Sequence, residues 1–151
     1  MSQIWIIMYF SDAFQIEEIS INKNDYELLK FLTVYCMCLC SKRELLNKPY
    51  HPRGFGVGYI VELGGIRIYH AGDCDFFPEM KNIKADVALL PIGGTYTMDE
   101  EEAANAAASI SPKVVIPMHF RRSEMTAGGP EKFKALVHSK NPNINVVILD
   151  S

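Results

Sequence analysis

The sequence predicts a layered α/β protein, and three observations carry that prediction. Two runs rich in β-branched and aromatic residues flank Gly64-Gly65. A short apolar run, an acid-led helical segment and a second apolar run then follow one another between residues 86 and 118. The same strand, helix, strand order returns towards residue 149. Strands that alternate with helices in this way build parallel sheets covered by helices.

The runs VGYIVEL (57–63) and IRIYHA (66–71) read as a hairpin, because paired glycines supply the positive φ angles of a two-residue turn. Side chains alternate along a strand. Ile66, Ile68 and His70 therefore share one face, expected to be the apolar one, and Arg67, Tyr69 and Ala71 share the other. Next, DVALLP (86–91) is short and continuously apolar, as in a strand buried on both faces. Thr97 and Glu100 have capping-box spacing, and Asp99, Glu101 and Glu102 place negative charge on the first turn of a helix. That helix is predicted to run from Met98 to Ile110 and to end before Ser111-Pro112, since the residue preceding a proline disfavours the α region. The strand VVIPM (114–118) completes a right-handed unit with parallel strands. A second unit comprises the loop TAGG (126–129), a helix from Pro130 to about Ser139 and the strand NVVIL (145–149). Near the amino end, IWIIMYF (4–10) reads as a strand and DYELLKFLTVYC (25–36) as a helix.

Composition bounds the function. A chain of 151 residues, 48% hydrophobic and 22% charged, can bury one sizeable core. The predicted organisation is a domain over residues 48–151, with residues 1–47 packing on it. A formal net charge of -3 shows no basic excess, which weighs against nucleic-acid binding by charge alone and favours a small-molecule substrate. The longest apolar run, LLKFLTVYCMCLC (28–40), contains Lys30 and is shorter than the roughly 20 residues that span a bilayer. MSQIWIIMYF has neither a basic lead nor a cleavage site of small residues, so a cytoplasmic location and no membrane contact are expected. In that setting the four cysteines, including the trio in CMCLC, are expected as thiols acting as small hydrophobes.

Chemistry-bearing residues gather at predicted strand ends. His51 opens the loop HPRGFG before the hairpin, Asp73 follows its second strand in IYHAGDCD, and His119 follows VVIPM. A lone histidine is commonly structural, but imidazoles and a carboxylate on successive strand ends form the ligand set of a hydrolytic zinc site. Gly93 and Gly94 are candidates to bring backbone N–H groups to a substrate oxygen, or simply to permit a turn. Arg53, Arg121 and Arg122 flank the candidate histidines and are either anion clamps or solvated charges. His70 is expected beside the site or in the core. His138, late in a helix, is expected in solvent.

HPRGFGVGYIVELGGIRIYHAGDCDFFPEM and DVALLPIGGTYTMDEEEAANAAASISPKVVIPMHF resemble the carboxyl-terminal half of the metallo-β-lactamase-fold hydrolases. The similarity is to the small metal-dependent branch that includes ascorbate-phosphate lactonases. The resemblance implies a partial αβ/βα sandwich with a di-metal site, usually of zinc. It assigns Asp73 as the metal-bridging, catalytic aspartate, His119 as the last metal-binding histidine and His51 as the histidine preceding the hairpin. Cys74 stands where the family has threonine, so a hydroxyl bond that would orient Asp73 is lost. The family's His-x-His-x-Asp-His motif is absent, since no histidine precedes His51. The expectation is therefore a truncated or degenerate hydrolase with weak or no activity alone, holding at most one weakly bound zinc or other divalent ion. Two alternatives stand beside it: a single-metal hydrolase using His51, Asp73 and His119, and a non-catalytic binding or assembly module that pairs with a complementing chain or a second copy.

Overall fold

The computed structural model describes residues 16–20, 29–36, 56–120 and 129–149. Among these, seven strands form one mixed sheet whose spatial order follows the chain. They are β1 (Ile16–Ser20), β2 (Leu29–Cys36), β3 (Gly56–Leu63), β4 (Ile66–His70), β5 (Val87–Pro91), β6 (Val114–Met118) and β7 (Asn145–Val146). The helix α1 (Glu100–Ile110) joins β5 to β6, and α2 (Pro130–Lys140) joins β6 to β7. From β1 to β4 the pairing is antiparallel, and from β4 to β7 it is parallel. The expected α/β layering is thus present. No helix among the described residues is long and apolar enough to cross a membrane.

The hairpin forms as its glycines require: Gly64 and Gly65 take φ +58° and +79°, a conformation that L side chains rarely adopt. The helix predicted over 25–36 is overturned where the structure describes it, because residues 29–36 are β2. Leucines at 28, 29 and 32 mimic a helical stripe, but Phe31, Thr33, Val34 and Tyr35 favour a pleated surface. A continuous register with β3, from Leu29 opposite Leu63 to Cys36 opposite Gly56, satisfies the strand's backbone. The strand predicted over 4–10 lies outside the described residues. At the other end the predicted strand 145–149 is shorter, with a ladder at Asn145–Val146 prolonged by Val147 N–H donating to the Val115 carbonyl.

α1 starts two residues later than Met98, and its capping box is Asp99 with Glu102, not Thr97 with Glu100. The Asp99 carboxylate accepts the Glu102 N–H at 2.9 Å, and the Glu102 carboxylate accepts the Asp99 N–H at 3.2 Å. Thr97 is instead buried in the preceding loop, where Met98 N–H donates to the Cys74 carbonyl at 3.1 Å. Displaced from capping its own helix, Glu100 serves the next one. Gly129, the N-cap of α2, has no side chain to offer, and its N–H donates to Glu100 Oε1 at 2.9 Å while Lys132 reaches Oε2 at 3.3 Å.

Burial raises the Glu100 pKa, but the bonds from Gly129, from its own backbone and from Lys132 outweigh it, and the net shift is downward. A carboxylate held below its unfolded value contributes stability that is full above the unfolded pKa and is lost as pH falls through the folded one. Glu100→Gln is expected to cost about 1 kcal/mol near neutral pH and to converge with the wild type at acid pH. Urea unfolding at a series of pH values checks this, and parallel pH profiles would refute it.

Both helices cover one sheet face. Ile60, Tyr69, Ala88, Leu90, Val115 and Val146 are buried beneath them, together with Phe133 and Val137 of α2. Alanines 103, 104, 106 and 107 are fully buried, and their small size lets α1 lie close against its neighbours. The face expected to be apolar and buried, that of Ile66, Ile68 and His70, is the opposite one. Val61, Ile68, Val87 and Val114 form a row across four strands there, half-buried, while Tyr59, Ile66 and His70 are exposed. At the amino ends of the parallel strands, Asp86 accepts Arg67 N–H at 3.0 Å and pairs with Lys113 at 2.8 Å, fastening β4, β5 and β6.

Candidate metal centre

The carboxyl ends of β4, β5 and β6 lie side by side, and in parallel sheets this is the edge where ligands bind. After β4, Ala71 N–H donates to the Leu89 carbonyl, so the strand stays fastened to β5 for one more residue. Gly72 then turns the chain at φ +65°, its N–H donating to His70 Nδ1 at 3.1 Å. This turn presents Asp73. After β6 the chain turns at once: His119 itself adopts φ +59°, unusual for a residue with a side chain. Such backbone strain costs on the order of 1–3 kcal/mol and clusters at functional sites.

The two turns converge. His119 Nε2 lies 3.1 Å from Asp73 Oδ1, with side-chain exposures of 37% and 45%, so the pair is open to solvent at the sheet's edge. Bonds of about 2 Å to one ion, at tetrahedral or octahedral angles, place neighbouring donors roughly 3 Å apart. Imidazole and carboxylate are also the donor types that zinc and other divalent ions take. The pair therefore fits one edge of a metal's coordination shell. Among the described residues no group of three or more His, Cys, Asp or Glu side chains could hold an ion.

The other candidates separate clearly. His51, Arg53 and Arg121, with Arg122, lie outside the described residues. Cys74 is fully buried, its carbonyl taken by Met98 N–H. His70 is exposed and shapes the Gly72 turn through its ring nitrogen. Gly93 is buried, and Gly94, at φ +83°, spends its N–H on the Met98 carbonyl, so its amide is not offered to a substrate oxygen. His138 is exposed in the last turn of α2, as expected.

One acidic residue escaped the sequence reading. Asp75 is only 6% exposed, and its Oδ1 is buried with no hydrogen-bond partner among the described residues. The signal available was its place two residues after Asp73 in GDCD, but burial of that position is a property of the fold.

Comparison with known proteins adds a consistent set of similarities. A model of the beta-lactamase superfamily domain matches residues 39–119. A UPF0173 metal-dependent hydrolase of Pyrococcus furiosus is 48% identical over 101 residues, covering 64% of this chain and 44% of that protein. Igni18, described as a metallo hydrolase from the archaeon Ignicoccus hospitalis, superposes with a TM-score of 0.67 at 32% identity, covering 82% of this chain and 51% of that one. A Thermotoga maritima protein, named a candidate Zn-dependent hydrolase of the metallo-beta-lactamase superfamily, gives a TM-score of 0.64 at 24% identity. It covers 89% of this chain and 69% of that one, a likeness of fold alone. The chain spans less than half the length of the curated relatives it matches.

Proposed function

The chain belongs to the beta-lactamase superfamily, with the metallo-β-lactamase fold, and from that premise we propose that it is a metal-binding portion of a metal-dependent hydrolase acting on a small molecule. The meeting of Asp73 and His119 at 3.1 Å on the carboxyl edge of the sheet carries this reading. In it, Asp73 and His119 hold the cation, His51 supplies a third donor, and Arg53 and Arg121 contact an anionic part of the substrate. His70 and Cys74 steady the loop that bears Asp73. Zinc is the cation favoured by the donor set. A bound divalent ion supplies Lewis acidity for a scissile carbonyl or phosphoryl oxygen and lowers the pKa of a water.

Without a His-x-His-x-Asp-His motif the donor set is short, so the chain by itself is weakly active or inactive. The purified chain, loaded with zinc or manganese, is expected to give no more than trace hydrolysis of ester, lactone and phosphodiester panels. Robust turnover abolished by Asp73→Ala would overturn that expectation and establish a working single-metal enzyme.

A second reading rests on the half-buried apolar row of Val61, Ile68, Val87 and Val114. Apolar surface of this extent invites a covering layer. Its occupant in this reading is a complementing chain that brings the missing histidines. Mixing the chain with the part of the Pyrococcus furiosus relative that it does not match is expected to give a stable complex. Two separately sedimenting monomers would dismiss the idea.

A further inference from the structure

Asp73 and His119 follow strands that are not neighbours: β5 lies between β4 and β6, and strands two places apart in a sheet are roughly 10 Å apart. The segment that continues β5 is bonded to both sides of this gap. Ile92 N–H donates to the Met118 carbonyl at 3.0 Å, one residue before His119, and Met98 N–H donates to the Cys74 carbonyl at 3.1 Å, one residue after Asp73. Between these anchors Gly94, at φ +83°, folds the chain back so that its N–H donates to the Met98 carbonyl at 3.1 Å. Ile92, Met98 and Cys74 are fully buried. Three backbone hydrogen bonds therefore link the turn bearing Asp73 to the turn bearing His119 through residues 92–98. A Cβ at position 94 would meet Asp99 Cβ at 3.8 Å, an ordinary contact, so what this position demands is its backbone angle.

We propose that Gly94 is a positioning residue of the metal centre: its left-handed turn holds residues 92–98 as a brace, and the brace sets the separation of Asp73 and His119. The inference rests on the reading of those two residues as metal ligands. Donors that share one ion tolerate displacements of only about 0.2 Å. A side chain at position 94 draws φ towards negative values, which takes the N–H away from the Met98 carbonyl and loosens the hold of Met98 on the residue beside Asp73. Partners that orient ligating carboxylates and imidazoles characteristically tune metal affinity without touching the ion.

Zinc affinity, measured by competition with a chromophoric chelator in Gly94→Ala, Gly94→Asn and Gly64→Ala, separates this role from a merely structural one. Gly64, at φ +58° with nothing near its Cβ position, lies at the opposite end of β4 from Asp73 and makes a similar backbone demand away from the site. Gly94→Ala is expected to weaken zinc binding by about 10-fold, and Gly94→Asn to recover most of that loss, because asparagine accepts the left-handed region. Gly64→Ala is expected to lower the thermal midpoint of the metal-free chain and to leave zinc affinity unchanged. Unchanged affinity in Gly94→Ala, with zinc still bound by the wild type, would overturn the inference and leave the Asp73 and His119 reading intact. An equal loss of affinity in Gly64→Ala would also overturn it, since any loosening of the fold would then suffice. If the wild type itself takes up no zinc, both readings fall. If Gly94→Ala does not fold, Gly94 is a structural residue and the inference fails.

Discussion

Zinc affinity is expected to fall by more than about 100-fold in Asp73→Ala, and equally in His119→Asn, because each removes a donor outright where loss of an outer partner costs up to about 100-fold. The two donor atoms are 3.1 Å apart at the mouth of the sheet, and among the described residues no group of three or more His, Cys, Asp or Glu side chains could hold an ion. Removal of either leaves one donor of this pair among the described residues. Asparagine is the better replacement at position 119 because it tolerates the left-handed backbone at φ +59°, so the loss reports the imidazole and not a relaxed turn. Titration with a competing chelator, with thermal unfolding as a check on folding, reads the outcome. Retained affinity in either variant would reduce the pair to an ordinary surface hydrogen bond.

Phe133→Ala is expected to destabilise the fold by about 3–5 kcal/mol, a large share of what a domain of this size has to lose. Phe133 is fully buried, and the buried residues of α2 are Pro130, Phe133 and Val137, with Leu136 packed half-buried against the core. Deleting the ring removes apolar burial and leaves a cavity in the core. Lys134→Ala, one position along and exposed, is expected to change stability by less than about 0.5 kcal/mol. Chemical unfolding of the pair decides the matter, and similar midpoints for both would mean that α2 is not held by its apolar side.

The contrast between legible and illegible parts follows from how local each determinant is. The hairpin, β5, β6 and α2 were readable because Gly64-Gly65, the runs VALLP and VVIPM, and Pro130 act within a few residues of themselves. β2 was not, since its leucines fit a helical stripe and only the ladder with β3 decides between the two conformations. The capping box was misplaced by two because Thr97/Glu100 and Asp99/Glu102 share one spacing. The loop anchored by Met98 on Cys74 chooses between them. Likewise, alternation identified the two faces of β4 but not which of them the helices would cover. For the site, Asp73 and His119 were legible as strand-end residues, whereas the buried state of Asp75 and the engaged N–H of Gly94 depend on contacts between distant loops.

The spatial order of the strands, which repeats their order in the chain, bears on biosynthesis. Each strand bonds to the one translated just before it, so the sheet can be laid down progressively as the polypeptide leaves the ribosome, without waiting for a distant segment to return. Growth of this kind keeps the loops that must close short, which favours rapid folding. It also means that until α1 and α2 have been synthesised, the nascent sheet exposes the face they will cover and its newest edge, the condition in which chaperones are needed most.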